Sequence, residues 1–114
     1  LSIVGKSIAD VLKTIRPSAL VVASSDMTHY ESQQSASKKD KSAIAEIIAL
    51  REEGLHRVVQ ELDVTMCGAS PAISMLVCSK QRFATKAELI RYETSGDVTG
   101  DYDHVVGYAG VIVE

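Results

Sequence analysis

Residues 19–30 read Ala-Leu-Val-Val-Ala-Ser-Ser-Asp-Met-Thr-His-Tyr. The first five are apolar and either small or branched. That composition predicts a short strand over 19–23, buried on both faces as inside a parallel sheet. In open α/β sheets, ligands bind beyond the carboxyl ends of such strands. Past Ala23 come two hydroxyls, a carboxylate, an imidazole and a phenol, at Ser24, Ser25, Asp26, His29 and Tyr30. Chemistry is expected in that loop.

Outward from this strand the pattern alternates between helix and strand. Val4, Ile8, Val11, Leu12 and Ile15 fall on one helical face, which predicts a helix over 3–15 that Pro17 stops. Residues 37–41 have the composition of a second helix start, with Ile44, Ile47, Ile48 and Leu50 as its apolar side. Gly54 interrupts that side, and Leu55, Val58, Val59 and Leu62 resume it. Ser70 as N-cap and Pro71 at the first helical position predict a third helix that ends around 80–82. Two late strands follow, over 87–92 and over 105–113. The second is nearly all apolar and reads as buried, with Gly107 and Gly110 permitting close backbone approach. Between them, 95–101 is a loop of turn residues. The fold class implied is α/β, a mostly parallel or mixed sheet flanked by helices.

A chain of 114 residues, 46% hydrophobic and 24% charged, makes one globular domain at most and is not disordered. Twelve basic against fifteen acidic residues give a net charge of −3 without a basic cluster, which excludes a nucleic-acid surface. Lys38, Lys39 and Lys41 are close, but Asp40 interrupts them, and the run reads as a solvated helix start. No apolar stretch approaches the ~20 residues of a membrane span. Two cysteines do not make a disulfide framework, which fits a reducing cytoplasm. The sequence begins at Leu1 without an initiator Met, and its first residues read as a helix interior. It is expected to be a piece of a longer protein.

Three residues stand out for chemistry. Asp26, three positions before His29, can bind a metal with it or fix its tautomer so that the other nitrogen acts as a base. Cys67, in Thr-Met-Cys-Gly-Ala-Ser-Pro, precedes a helix N-terminus, where the dipole favours thiolate, the nucleophilic and metal-ligating form. Cys78, inside the third helix, reads as inert packing. The carboxylates Asp97, Asp101 and Asp103 lack the spacing of a calcium loop and read as turn formers. His56 reads as a surface residue and His104 as the start of the last strand. Tyr30, Tyr92 and Tyr108 are candidates for the edge of a pocket.

Taken together, SSDMTHY at 24–30, CGASP at 67–71 and YETSGDVTGDYDHVVGYAG at 92–110 resemble the Memo family, also known as AmmeMemoRadiSam system protein B. Their wording is closer to archaeal and bacterial members than to animal ones. The resemblance spans essentially the whole chain. It implies a fold similar to that of the class III extradiol dioxygenases, with this chain as a C-terminal portion and the N-terminal part of the family domain absent. It implies a metal pocket in which Asp26, His29 and Cys67 are the catalytic or ligating residues, with Ser95 and Asp97 as secondary candidates.

A facial iron site takes two histidines and one carboxylate, whereas these residues offer one His, one Asp and one Cys. Further donors from outside the chain are therefore expected. Iron(II) is the implied metal. Copper or zinc is the alternative, because a thiolate favours softer ions. The implied partners are a small-molecule or peptide ligand, an AMMECR-like protein and a radical SAM protein, and an apolar face left open would make the chain self-associate. Two other functions are compatible with the same residues: a hydrolase with Cys67 as nucleophile, His29 as base and Asp26 as orienter, and a binding or signalling module without catalysis.

Overall fold

Helices dominate the computed structural model, which describes residues 1–15 and 19–114. In chain order the elements are α1 (Ser2–Leu12), β1 (His29–Glu31), α2 (Gln33–Ile48), α3 (Glu52–Glu61), α4 (Ala69–Gln81), β2 (Ala87–Thr94), α5 (Gly96–Thr99) and β3 (Val105–Val113). The sheet has the order β1-β3-β2, and both pairings are antiparallel. The mostly parallel or mixed sheet is therefore corrected. Parallel neighbours need a crossover connection of a dozen or more residues, usually a helix. Here β2 returns into β3 through a short turn containing α5, and that connection produces a hairpin.

The apolar stretch 19–23 is also not the strand its composition predicts. Among the described residues no strand pairs with it, and Leu20 and Val22 are 88% and 75% exposed. Apolar β-branched residues favour a pleated, half-buried surface, but a strand exists only where a neighbour satisfies its backbone groups. A cavity of about 510 Å³ is lined by Val21 on this stretch, Val111 and Val113 on β3, and Met75 and Cys78 on α4. Pairing with β3 begins further along, where the Met27 N–H donates to the Gly107 carbonyl at 2.8 Å and the Gly107 N–H to the Thr28 carbonyl at 2.9 Å.

Helix boundaries differ from the periodic reading for local reasons. The first helix ends at Leu12, before Ile15, and the expected stop at Pro17 lies outside the described residues. The second begins at Gln33 rather than in 37–41. Ser32 is its N-cap and its Oγ accepts from the Ser35 N–H at 3.2 Å, so a cap rather than an apolar stripe sets the start. It ends at Ile48, and the break before α3 falls at the left-handed Leu50, φ +57°, and not at Gly54, which sits inside α3. The fourth helix starts at Ala69 after Gly68, so Ser70 is not its cap and Pro71 lies within the first turn, where its missing N–H costs nothing. The last strand has the predicted bounds, but beyond Gly107 its residues are exposed or half-buried rather than buried on both faces.

The core lies where α2, α3 and α4 meet the sheet. Leu55 and Leu76 are fully buried, among Ala43, Ile44 and Ile73. Each buried leucine contributes about 1.5–3 kcal/mol. Two methionines of this core, Met27 and Met66, stand directly beside Asp26 and Cys67. The same packing that holds the domain therefore pins both loops of the candidate site.

Candidate metal centre

With Met27 turned inward, Asp26 is left half-buried at the surface, and Met66 likewise leaves Cys67 exposed. The two loops are stitched together by short bonds. The Ser25 hydroxyl donates to the Asp26 carbonyl at 2.6 Å and accepts from the Gly68 N–H at 2.8 Å. The Asp26 N–H points at Cys67 Sγ, 3.4 Å away, and the His29 N–H donates to Thr65 Oγ1 at 2.8 Å. Glycine at 68 permits this approach, because a Cβ there would collide with the Ser24 carbonyl and the Ser25 side chain.

Strand β1 is irregular beside the site. Tyr30 takes φ +59°, a left-handed conformation unusual for a bulky residue, and the register with β3 shifts between His29 and Glu31. Such bulges re-aim neighbouring side chains and recur next to functional sites. Tyr30 is exposed, with its ring centroid 5.9 Å from that of His29. Glu31, at the end of the strand, is tied to α2. The Ser35 hydroxyl first, and then the Lys39 ammonium at 3.0 Å, hold its carboxyl below the usual carboxylate range.

The outcome is a cluster of three unlike donors. One donor atom each from Asp26, His29 and Cys67 lie within 4.8 Å of one another. Within it, His29 Nε2 and Asp26 Oδ2 are 3.4 Å apart. Among the described residues Cys67 makes no hydrogen bond with His29; its sulfur faces the Asp26 N–H and, at 3.9 Å, Ser25 Oγ. The 510 Å³ cavity takes Ser25, Met27 and Met66 from the two donor loops but none of the three donors, which lie at the surface with Asp26 and His29 half-buried and Cys67 exposed.

Ser95 and Asp97 are not brought into this cluster. The Ser95 hydroxyl accepts from the Val106 N–H at 3.0 Å, and Asp97 accepts from the Thr94 N–H at 2.9 Å. Both lock the turn between β2 and β3. His56 and His104 are exposed, and Cys78 is buried in α4. Tyr108 is exposed, while Tyr92 donates its hydroxyl to Asp40 Oδ2 at 2.6 Å. Burial first, and then that bond, push the Tyr92 phenol well above its ordinary value of 10.0.

Asp40 is the residue that sequence reasoning missed. It is wholly buried, not part of a solvated helix start. The signal was present, since Asp40 falls in register with Ala36, Ala43, Ile44 and Ile47 on the buried stripe of α2. A charge on an apolar stripe calls for a partner.

Comparison with known proteins agrees with the resemblance. Residues 1–112 match the family described as Memo-like protein. A MEMO1 family protein of Methanocaldococcus jannaschii is 49% identical over 111 residues, covering 97% of this chain and 39% of the relative. One from Methanopyrus kandleri is 44% identical over 109 residues, covering 96% and 38%. One from Desulfurococcus amylolyticus is 40% identical over 106 residues, covering 93% and 37%. The chain spans about two fifths of the length of the curated relatives it matches. With nearly its whole length matched, the chain belongs to the Memo-like protein family.

Proposed function

We propose that this chain contributes Asp26, His29 and Cys67 to a single metal ion in a Memo-type metalloprotein with dioxygenase-like, non-haem chemistry. The observation that carries this reading is the convergence of a carboxylate, an imidazole and a thiol from two separate loops within 4.8 Å. Bonds of about 2.0–2.3 Å from one ion to oxygen, nitrogen and sulfur set donor separations of roughly 3–4 Å. Asp26 and His29, at 3.4 Å, already have that spacing. The sulfur of Cys67, an exposed residue, lies within 4.8 Å of the other two donor atoms.

Iron(II) is the first choice of ion, and copper or zinc follows from the thiolate. When bound, iron would supply activation of O₂ or of a chelating substrate. The chain's own part is to hold the ion from one side and leave the remaining positions to further donors and to substrate. The exposed face admits a small-molecule or peptide ligand. An AMMECR-like protein, a radical SAM protein and a reducing cytoplasm complete the proposal, as do an extradiol-dioxygenase-like fold for the whole protein and the two free cysteines. A cysteine hydrolase ranks second, since it requires a bond between Cys67 and His29.

Elemental analysis after loading with iron(II) under exclusion of oxygen, followed by dialysis, tests the proposal. About one equivalent should remain bound, and His29→Ala and Cys67→Ser should each lower metal affinity by tenfold or more, on the order seen for perturbed metal sites. Retention at background level by the unsubstituted chain would contradict it.

A further inference from the structure

Asp40 sits in the middle of α2, wholly inaccessible to solvent. A buried carboxylate persists only where its oxygens are satisfied. Here Oδ1 accepts the Thr28 N–H at 2.9 Å and Oδ2 accepts the Tyr92 hydroxyl at 2.6 Å. Thr28 lies in the segment from Asp26 to His29, and Tyr92 comes from β2. Gly107 of β3 completes the arrangement. It exchanges backbone bonds with Met27 and Thr28, and a Cβ on it would run into Asp40 Oδ2. One side chain thus joins α2 and β2 to the backbone between the two candidate ligands, with β3 packed against it at Gly107. Thr28 is held by its backbone alone, for its buried hydroxyl has no partner among the described residues.

We propose that Asp40 and Tyr92 are positioning residues for the metal centre, fixing through the Thr28 N–H the backbone pitch that lets Asp26 and His29 share an ion with Cys67. The inference rests on the reading of those three residues as ligands. Partners beyond the ligand shell commonly set metal affinity by orienting the ligands. In this chain the orientation acts on the backbone, because among the described residues Asp40 bonds to the Thr28 N–H and the Tyr92 hydroxyl and to no ligand side chain.

The test measures zinc affinity by chelator competition in the unsubstituted chain and in Tyr92→Phe, Asp40→Ala, Asp40→Asn and Ile73→Val. Amide exchange of the zinc-free proteins is followed at Met27, Thr28 and Gly107. Tyr92→Phe should weaken zinc binding about tenfold and Asp40→Ala towards a hundredfold. Both should speed exchange at Thr28 and Gly107 relative to amides of α4. Asp40→Asn should restore binding to near the original value, since its oxygen accepts from Thr28 and its NH₂ donates to the Tyr92 oxygen. Ile73→Val, a core truncation elsewhere, should lower thermal stability and leave zinc affinity unchanged. If Asp40→Ala fails to fold, Tyr92→Phe, which keeps the ring, carries the test. Zinc binding indifferent to Tyr92→Phe and Asp40→Ala overturns this inference alone. A weakening no larger than that of Ile73→Val does the same. Absence of zinc binding in the unsubstituted chain overturns the metal reading and this inference with it.

Discussion

Residues 19–23 and 26–29 lie within eleven positions of one another, and their fates are opposite. The first stretch is almost purely apolar, yet it has no strand partner among the described residues and exposes Leu20 and Val22. The second is polar, yet its backbone is held by Gly107, Asp40 and Thr65 from three different parts of the chain. Hydrophobicity marks where a chain gains by being covered. Hydrogen-bonded neighbours decide where it is actually fixed.

The sharpest way to break this contrast is to truncate one residue in each stretch. Met27→Ala should cost about 2–5 kcal/mol, as expected for a buried methionine, and Leu20→Ala should stay within about 0.5 kcal/mol. Denaturant unfolding of the two variants measures both. Equal effects would mean that the apolar stretch is as firmly packed as the donor loop.

A smaller effect is expected at alkaline pH. The Tyr92 phenol is raised in the folded chain above its ordinary value of 10.0. Its contribution is therefore complete below about pH 10 and is lost as pH rises beyond, where the unfolded chain releases a proton that the folded one retains. The unsubstituted chain should lose stability above pH 10 more steeply than Tyr92→Phe, and parallel pH profiles would contradict a stabilising bond from the phenol to Asp40. The smallest effect on folding belongs to Leu20→Lys with Val22→Lys. Thermal stability should barely move; in sedimentation the unsubstituted chain is expected to self-associate and the double variant to do so less. A monomeric unsubstituted chain, or association that the two lysines leave unchanged, would contradict that expectation.

Much of this was legible in the residues. The bounds of β3 follow from its nearly all-apolar run, and α4 ends at Gln81, within the expected 80–82. Asp26, His29 and Cys67 stand out as candidates in their loops, and the structure brings their donor atoms within 4.8 Å although 41 positions separate Asp26 from Cys67. What stayed hidden depends on partners distant in sequence. The antiparallel direction of β2 and β3 comes from their connection, which no strand's own composition encodes. The start of α2 is set by one hydroxyl cap outside the apolar pattern. Asp40 reads as solvated among three lysines, and only its register with Ala36 and Ala43 indicates burial.

The central claim, that Asp26, His29 and Cys67 share one ion, is tested most directly by titrating the chain with cobalt(II) and recording its absorption spectrum. A shared site should give a sulfur-to-cobalt charge-transfer band that saturates at about one equivalent. That band should vanish in Cys67→Ser and weaken in His29→Ala. A spectrum without the band, or one that Cys67→Ser leaves intact, would contradict it.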